Sequence, residues 1–315
     1  MTVLLLDGGF LTVHGNAPFS FPVGDFWSIK QYRILLSVQD FDKEYVKPSR
    51  ADGAFSILQL TDTHLFADLN TGFLGINTAG SLQAVIDAVL RQNRKFDLII
   101  ATGDIAQDYS EQSYINFAKM MHDSFSQPVF WLPGNHDDGP KMARVFPTVG
   151  VSAAKNVIVD KWQFVLLNTQ VYNAPFGWIT PEELNYLRQC LDNHPELYTV
   201  VCLHHNAYRV NSAWLDQHEL RNKEELLELI SHYPKVKLVL CGHVHQETDF
   251  VRDGIRFISS PATSIQFEPL SFNFGLDSKG PGWRYITFTP DGGISTDVYR
   301  LPFESFRPDF AIGGY

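Results

Sequence analysis

Short apolar runs that stop abruptly at polar residues constrain this chain more than any other feature. Phe55-Ser-Ile-Leu-Gln-Leu60 runs into Thr61-Asp-Thr-His64, and Asp97-Leu-Ile-Ile-Ala101 runs into Thr102-Gly-Asp104. Val129-Phe-Trp-Leu132 breaks at Pro133-Gly134 and is followed by Asn135, His136, Asp137 and Asp138. Continuous apolar runs bounded by turn residues are the pattern of strands buried on both faces. Amphipathic stretches separate them. Ser81 is placed to cap one, with Leu82, Val85, Ile86, Val89 and Leu90 on a single face, and another is expected over 111–125. Strand, helix, strand, helix, strand predicts a mainly parallel α/β sheet. Such sheets gather their chemistry at the C-terminal strand ends, where each polar cluster lies.

The second half repeats the device. A strand is expected over 164–167, and Thr180-Pro-Glu-Glu183 reads as a capping box that opens a helix through Leu184, Leu187 and Leu191. A strand over 199–203 runs into His204-His205, a helix is expected over 224–230, and a strand over 237–241 ends in Gly242-His-Val-His245. Runs at 256–258, 283–288 and 294–301 are expected to close a second sheet. Residues 1–54 hold aromatics, one strand-like run at 32–38 and a polar stretch, with no chemistry evident.

Composition excludes several classes. The 315 residues are 44% hydrophobic, enough for one large α/β core. A net charge of −10 argues against nucleic acid as a partner, because a phosphate backbone demands clustered Lys and Arg. The three cysteines form no CxxC pair, which suggests neither a disulfide framework nor a zinc knuckle and fits a cytoplasmic setting. The apolar start has no basic residues before it and meets Asp7 at once, so no signal peptide is expected. No run approaches the ~18 apolar residues that span a bilayer, so no membrane partner is expected. Nothing specifies an oligomeric state.

The strand ends together present Asp62, His64, Asp104, Asn135, His136, His204, His243 and His245. Oxygen and imidazole ligands without thiolate suit Mn, Fe or Zn. In His243-x-His245, Gly242 is expected to turn the chain so that both rings face one point. Two cations about 3.5–4 Å apart are used for in-line displacement at phosphorus, and Asp104, alone after Gly103, is the natural carboxylate to bridge them. Taken singly, each motif is ordinary: an Asp-x-His is usually a solvated loop and a Gly-Asp a turn. His14, His122, His194, His218 and His232 lack any partner pattern and are expected at the surface or at helix ends. Cys202 and Cys241 lie on strands and are expected to serve packing only.

The ordered set D-x-H, G-D, G-N-H-D, H and G-H-x-H resembles the calcineurin-like metallophosphoesterase superfamily from residue 55 to about 300. Longer stretches resemble the bacterial 3′,5′-cyclic AMP phosphodiesterases: Leu60-Thr-Asp-Thr-His-Leu-Phe66, Ala101-Thr-Gly-Asp-Ile-Ala-Gln-Asp108, Ser212-Ala-Trp-Leu-Asp-Gln-His-Glu-Leu-Arg-Asn222 and Leu240-Cys-Gly-His-Val-His-Gln246. The resemblance implies a four-layer α-β-β-α sandwich with two mixed sheets, over 55–315, behind an N-terminal extension of residues 1–54. It implies two divalent metal ions, Fe(II) and/or Mn(II), with Zn(II) as the other candidate. By motif, the first would be held by Asp62, His64, Asp104 and His245, and the second by Asp104, Asn135, His204 and His243. His136 would be catalytic at the substrate phosphate, with His64, Asp104, Asn135 and His245 beside it. Asn206-Ala207 replaces a proline usual after the His204 strand, so His205 competes with His204 as ligand; His204 is preferred. The implied reaction is hydrolysis of cyclic AMP to 5′-AMP. The alternatives are a broader phosphodiesterase acting on glycerophosphodiesters or 2′,3′-cyclic nucleotides, and a non-catalytic scaffold.

Overall fold

The computed structural model describes residues 2–6, 9–13 and 43–314. It forms two units that part between residues 41 and 42. In the first, β1 (Thr2–Leu6) and β2 (Gly9–Val13) pair antiparallel, Leu6 opposite Gly9. The strand expected over 32–38, and His14, lie outside the described residues.

The second unit holds β3 (Lys43–Tyr45), β4 (Phe55–Leu60), a small hairpin of β5 (Gly72–Phe73) and β6 (Ile76–Asn77), β7 (Leu98–Ala101) and β8 (Val129–Trp131). These are followed by β9 (Asn156–Val159), β10 (Trp162–Leu166), β11 (Tyr198–Cys202), β12 (Val236–Cys241), β13 (Thr248–Arg252), β14 (Ile255–Ser259), β15 (Gly282–Phe288) and β16 (Ile294–Arg300). Its helices are α1 (Thr78–Gln92), α2 (Glu111–Ser124), α3 (Gly139–Val145), α4 (Pro181–Asn193) and α5 (Lys223–Ser231).

One sheet has the order β16-β15-β4-β7-β8, the other β13-β14-β12-β11-β10-β9-β3. Both are mixed: β4, β7 and β8 run parallel beside antiparallel β15 and β16. Likewise β10, β11, β12 and β14 run parallel, with β9 and β13 antiparallel. The second sheet reaches back to Lys43–Tyr45, which pairs with β9. Side-chain alternation along the strands makes the layers. Phe55, Ile57, Leu98, Ile100 and Phe288 of the first sheet meet Phe164, Val200, Cys202, Leu238 and Ile258 of the second in a central core. Leu58, Ile99, Val129 and Tyr285 turn outward against Leu82, Val85 and Ile86 of α1 and Phe117 and Met121 of α2. Val201, Val239 and Cys241 turn outward against Leu187, Leu191, Leu226 and Ile230 of α4 and α5. Helix, sheet, sheet, helix is the four-layer α/β sandwich. Cys202 and Cys241 sit in different layers, each buried as an apolar filler.

Two local expectations need correction. Of the tail strands, β14 joins the second sheet beside β12 as expected, but β15 and β16 close the first: β15 lies against β4 with Ile286 opposite Ile57 and Phe288 opposite Phe55. Alternation tells which face a strand buries, not which neighbour it joins. Helix α1 starts ahead of Ser81, at Thr78, because Asn77 caps it by accepting the Gly80 N–H. Ser81 is inside the helix and donates to the Thr263 carbonyl. At α4 the Thr180 cap forms as expected, accepting from Glu183 N. The Glu183 carboxylate accepts the Asn168 N–H at 3.0 Å.

Candidate metal centre

The ends of β4, β7, β8, β11 and β12 converge on one place, and the backbone there is unusual. Asp62, His64, Asp104, His243 and His245 all have left-handed φ, between 46° and 68°. Non-glycine residues in this region cost of order 1–3 kcal/mol each and persist where surrounding structure holds them. Here Asp62 N–H donates to Gly103 O at 3.0 Å, His64 N–H to Asp104 O at 3.0 Å and His243 N–H to the Asp62 carboxylate at 3.2 Å. The turn expected from Gly242 is therefore made by His243 and His245 themselves. Gly242 is needed for another reason: a Cβ there would lie 2.2 Å from Thr61 Oγ1. Gly134 is equally tight, since its Cβ would fall 2.1 Å from Asp104 Oδ1.

Those turns bring together three buried groups of donors whose ligand atoms lie within 4.8 Å of one another: Asp62, His64 and His245; Asp62, Asp104 and His204; and His204, His205 and His243. Asp104 Oδ2 lies 3.2 Å from His204 Nε2 and 3.9 Å from His64 Nε2, so one oxygen faces both imidazoles. Its Oδ1 accepts the His136 N–H at 2.8 Å. Asn135 Oδ1 is 3.1 Å from His204 Nε2. Of the adjacent imidazoles, His204 faces Asp104 and Asn135, whereas His205 Nδ1 meets Thr169 Oγ1 at 2.8 Å. The His136 ring packs edge-on to His64, 5.2 Å between centroids.

The protons on these rings reveal what the site can hold. A carbonyl only accepts, so His204 Nδ1 donates to Thr102 O and His245 Nδ1 to Ile265 O, each at 2.8 Å. Their Nε2 lone pairs then face acceptors: His245 Nε2 lies 3.3 Å from Asp62 Oδ1 and 3.3 Å from His64 Nε2. The buried His243 Nε2 has no hydrogen-bond partner. Acceptors converging on acceptors are satisfied only by protons or cations. With protein groups alone, burial disfavours the charged His204, but the Asp104 carboxylate outweighs it and takes the pKa up to about 9. Burial pushes His64 down to about 3 and holds His243 well below the usual imidazole range. For Asp104, burial opposes the anion, yet His204 and His136 hold the carboxyl well below its ordinary value. One carboxylate-stabilised cation amid neutral imidazoles is the electrostatic demand that divalent ions answer, and the donor set fits them.

Several functional neighbours had no signature in the sequence. His64 Nδ1 lies 2.6 Å from Gln107 Oε1, a partner 43 residues away. The buried Asp137 carboxylate accepts from Gly134 N, Ile105 N and Ala106 N, tying the Asp104 loop to the Asn135 loop. Gln170 Nε2 donates to Gly134 O at 2.7 Å. His218, expected at the surface or a helix end, is half-buried with its ring 6.4 Å from that of His243. It lines a cavity of about 410 Å³ together with Asn135, His136 and His243. Its loop is held by tertiary bonds that helix patterning does not encode. His194 and His232 do close α4 and α5, and His122 lies in the last turn of α2.

Residues 55–247 match the family model for calcineurin-like phosphoesterases. The chain belongs to this family. It is 44% identical over 260 residues to the 3′,5′-cyclic adenosine monophosphate phosphodiesterase CpdA of Haemophilus influenzae, covering 82% of this chain and 94% of that one. It is 44% identical over 269 residues to the Escherichia coli K12 enzyme of that name, covering 85% and 98%. A 3′,5′-cyclic-nucleotide phosphodiesterase of Nostoc is 36% identical over 248 residues, covering 79% and 93%. Among solved structures, a dimetal phosphatase from Danio rerio shares the fold at TM-score 0.53 and 13% identity, covering 78% of this chain and 98% of that one. Among the described residues, no helix is long and apolar enough to cross a membrane.

Proposed function

We propose that this chain hydrolyses 3′,5′-cyclic AMP to 5′-AMP in the cytoplasm, using two divalent ions, Fe(II) and/or Mn(II) ahead of Zn(II). The observation that carries this reading is the single Asp104 oxygen facing both His64 and His204, beside a cavity that Asn135 and His136 line. The match to the relatives named for this activity spans nearly their whole length, 94% and 98%. One ion would be held by Asp62, His64, Asp104 and His245, the other by Asp104, Asn135, His204 and His243. Ions there would supply Lewis acidity and an activated water near neutral pH.

The chain's own groups do the rest. Two ligand carboxylates against two dications leave the site net positive, which draws in a phosphodiester anion. His136 is held by its N–H to Asp104, and burial keeps its imidazole below the usual range, hence neutral. A neutral imidazole N–H beside the phosphate can pass a proton to the departing oxygen. Water adds to phosphorus, the bond from phosphorus to the 3′-oxygen breaks, and that oxygen leaves as a hydroxyl. The product is a 5′-monoester.

The test is turnover of cyclic AMP by metal-stripped protein given Fe(II), Mn(II) or Zn(II) separately, beside 2′,3′-cyclic AMP and a glycerophosphodiester. Restored activity with preference for the 3′,5′-cyclic substrate is expected. Equal rates on all three would replace it with the broader phosphodiesterase, and no turnover with any metal would favour a scaffold.

A further inference from the structure

The cavity beside the histidine cluster has two unlike sides. Asn135, His136 and His243 make the polar one, and Trp214, Leu215 and Phe274 supply an apolar one. At about 410 Å³ it has the size of a small-ligand site, with room for more than a phosphate.

The apolar side is a built feature. Trp214 packs edge-on to Phe267 at 5.0 Å and to Phe274 at 5.2 Å between centroids. Phe267 in turn stacks on His245 at 4.2 Å, so the indole is joined through one ring to the cluster. The loop that carries it is pinned: Ala213 N–H donates to Ser271 O at 2.9 Å, and Val210 N–H to Asp216 Oδ1 at 2.8 Å. The Trp214 indole N–H is buried without a partner. Tyr109 also lines the cavity, in a left-handed conformation with φ of 56°. A bulky side chain there is an outlier that marks function when the fold maintains it. The fold does maintain it: the Asp108 carboxylate accepts Ala67 N–H at 2.7 Å and Ser110 N–H at 3.0 Å, and Lys141 donates to the Tyr109 carbonyl. The residue is left 42% exposed.

We propose that Tyr109, Trp214 and Phe274 form a stacking wall for the purine of the cyclic nucleotide, with its phosphate toward Asn135 and His136. This deepens the phosphodiesterase reading and rests on it. A purine offers a large flat π-face that aromatic rings bind well, whereas ribose and phosphate offer none. Trp214 and Tyr109 are thereby specificity-determining residues: they select a nucleotide over a base-free cyclic phosphodiester.

The experiment compares wild type, Trp214→Leu, Trp214→Phe and Tyr109→Asn as metal-loaded proteins of equal melting temperature. Asparagine tolerates the left-handed backbone, so that change removes the ring without adding strain. Two substrates are used, cyclic AMP and base-free 3′,5′-cyclic ribose phosphate, and equilibrium binding of 5′-AMP and ribose 5-phosphate is measured in parallel. Trp214→Leu and Tyr109→Asn are expected to lose roughly 10- to 100-fold in kcat/KM on cyclic AMP, chiefly through KM. Their loss on the base-free substrate should be far smaller, and Trp214→Phe should recover most of the cyclic AMP activity. Equal losses on both substrates, or no loss on cyclic AMP, overturn the wall. Should wild type turn over neither substrate, the phosphodiesterase reading fails by itself. The wall is then decided by binding: 5′-AMP affinity weakened in the variants, with ribose 5-phosphate unaffected, supports it, and unchanged 5′-AMP affinity overturns it.

Discussion

Replacing Asp137 tests how the loops that carry Asp104 and Asn135 are held together. The residue is 2% exposed, and its carboxylate accepts three backbone N–H groups: Gly134 at 2.9 Å and Ile105 at 3.2 Å through Oδ2, and Ala106 at 2.9 Å through Oδ1. Asp137→Asn can keep an oxygen where two of these converge, but it turns an NH2 toward the Ala106 N–H. One buried donor left unsatisfied costs about 1–3 kcal/mol. Asp137→Ala strands all three and should cost at least twice as much, a large part of the ~5–15 kcal/mol of a typical domain. The penalty also depends on pH. Burial, with the Asp104 charge adding to it, pushes the Asp137 carboxyl up to about 7. A carboxyl raised above its unfolded value contributes stability below that value and loses it as pH rises through the folded one. The metal-stripped wild type therefore weakens between about pH 4 and 7 by a term the Asn variant lacks. Urea midpoints should show the Asn penalty larger near pH 5 than near pH 8, with Ala worse than Asn at both. An Ala variant no less stable than Asn, or a penalty that grows with pH, would refute the reasoning.

Asp104→Asn keeps shape but removes the charge that, in the proposed centre, would offset repulsion between two dications, itself about four times the ~4 kcal/mol of a unit pair at 4 Å and an effective dielectric of ~20. Metal stoichiometry at matched free metal should fall at both sites together in that variant, whereas His243→Ala should chiefly empty one. Gln107→Ala removes the partner of His64 Nδ1 and should weaken metal binding roughly 10- to 100-fold by titration, with little change in melting temperature of the stripped protein.

Period and punctuation alone determined much of this protein. Buried strands are apolar on both faces, so β7 stands out as an unbroken run and β4 and β12 as largely apolar ones, and the Asp and His residues at their ends mark where chemistry collects. That legibility extended to the donor types, because a metal site demands particular atoms wherever it lies. The neighbour of each strand was not legible: the runs of β15 and β16 were expected in a second sheet, yet Ile286 and Phe288 lie opposite Ile57 and Phe55 of the first. Nor was the backbone that aims the ligands, since His243 and His245 adopt left-handed turns that local propensity disfavours and only tertiary bonds, such as His243 N–H to Asp62, maintain. Gln107, Asp137, His218 and Tyr109 acquire their roles from partners remote in the chain or from the cavity they share. Local sequence encodes which atoms are offered and which faces are buried; where those atoms meet is set by long-range packing that no single stretch contains.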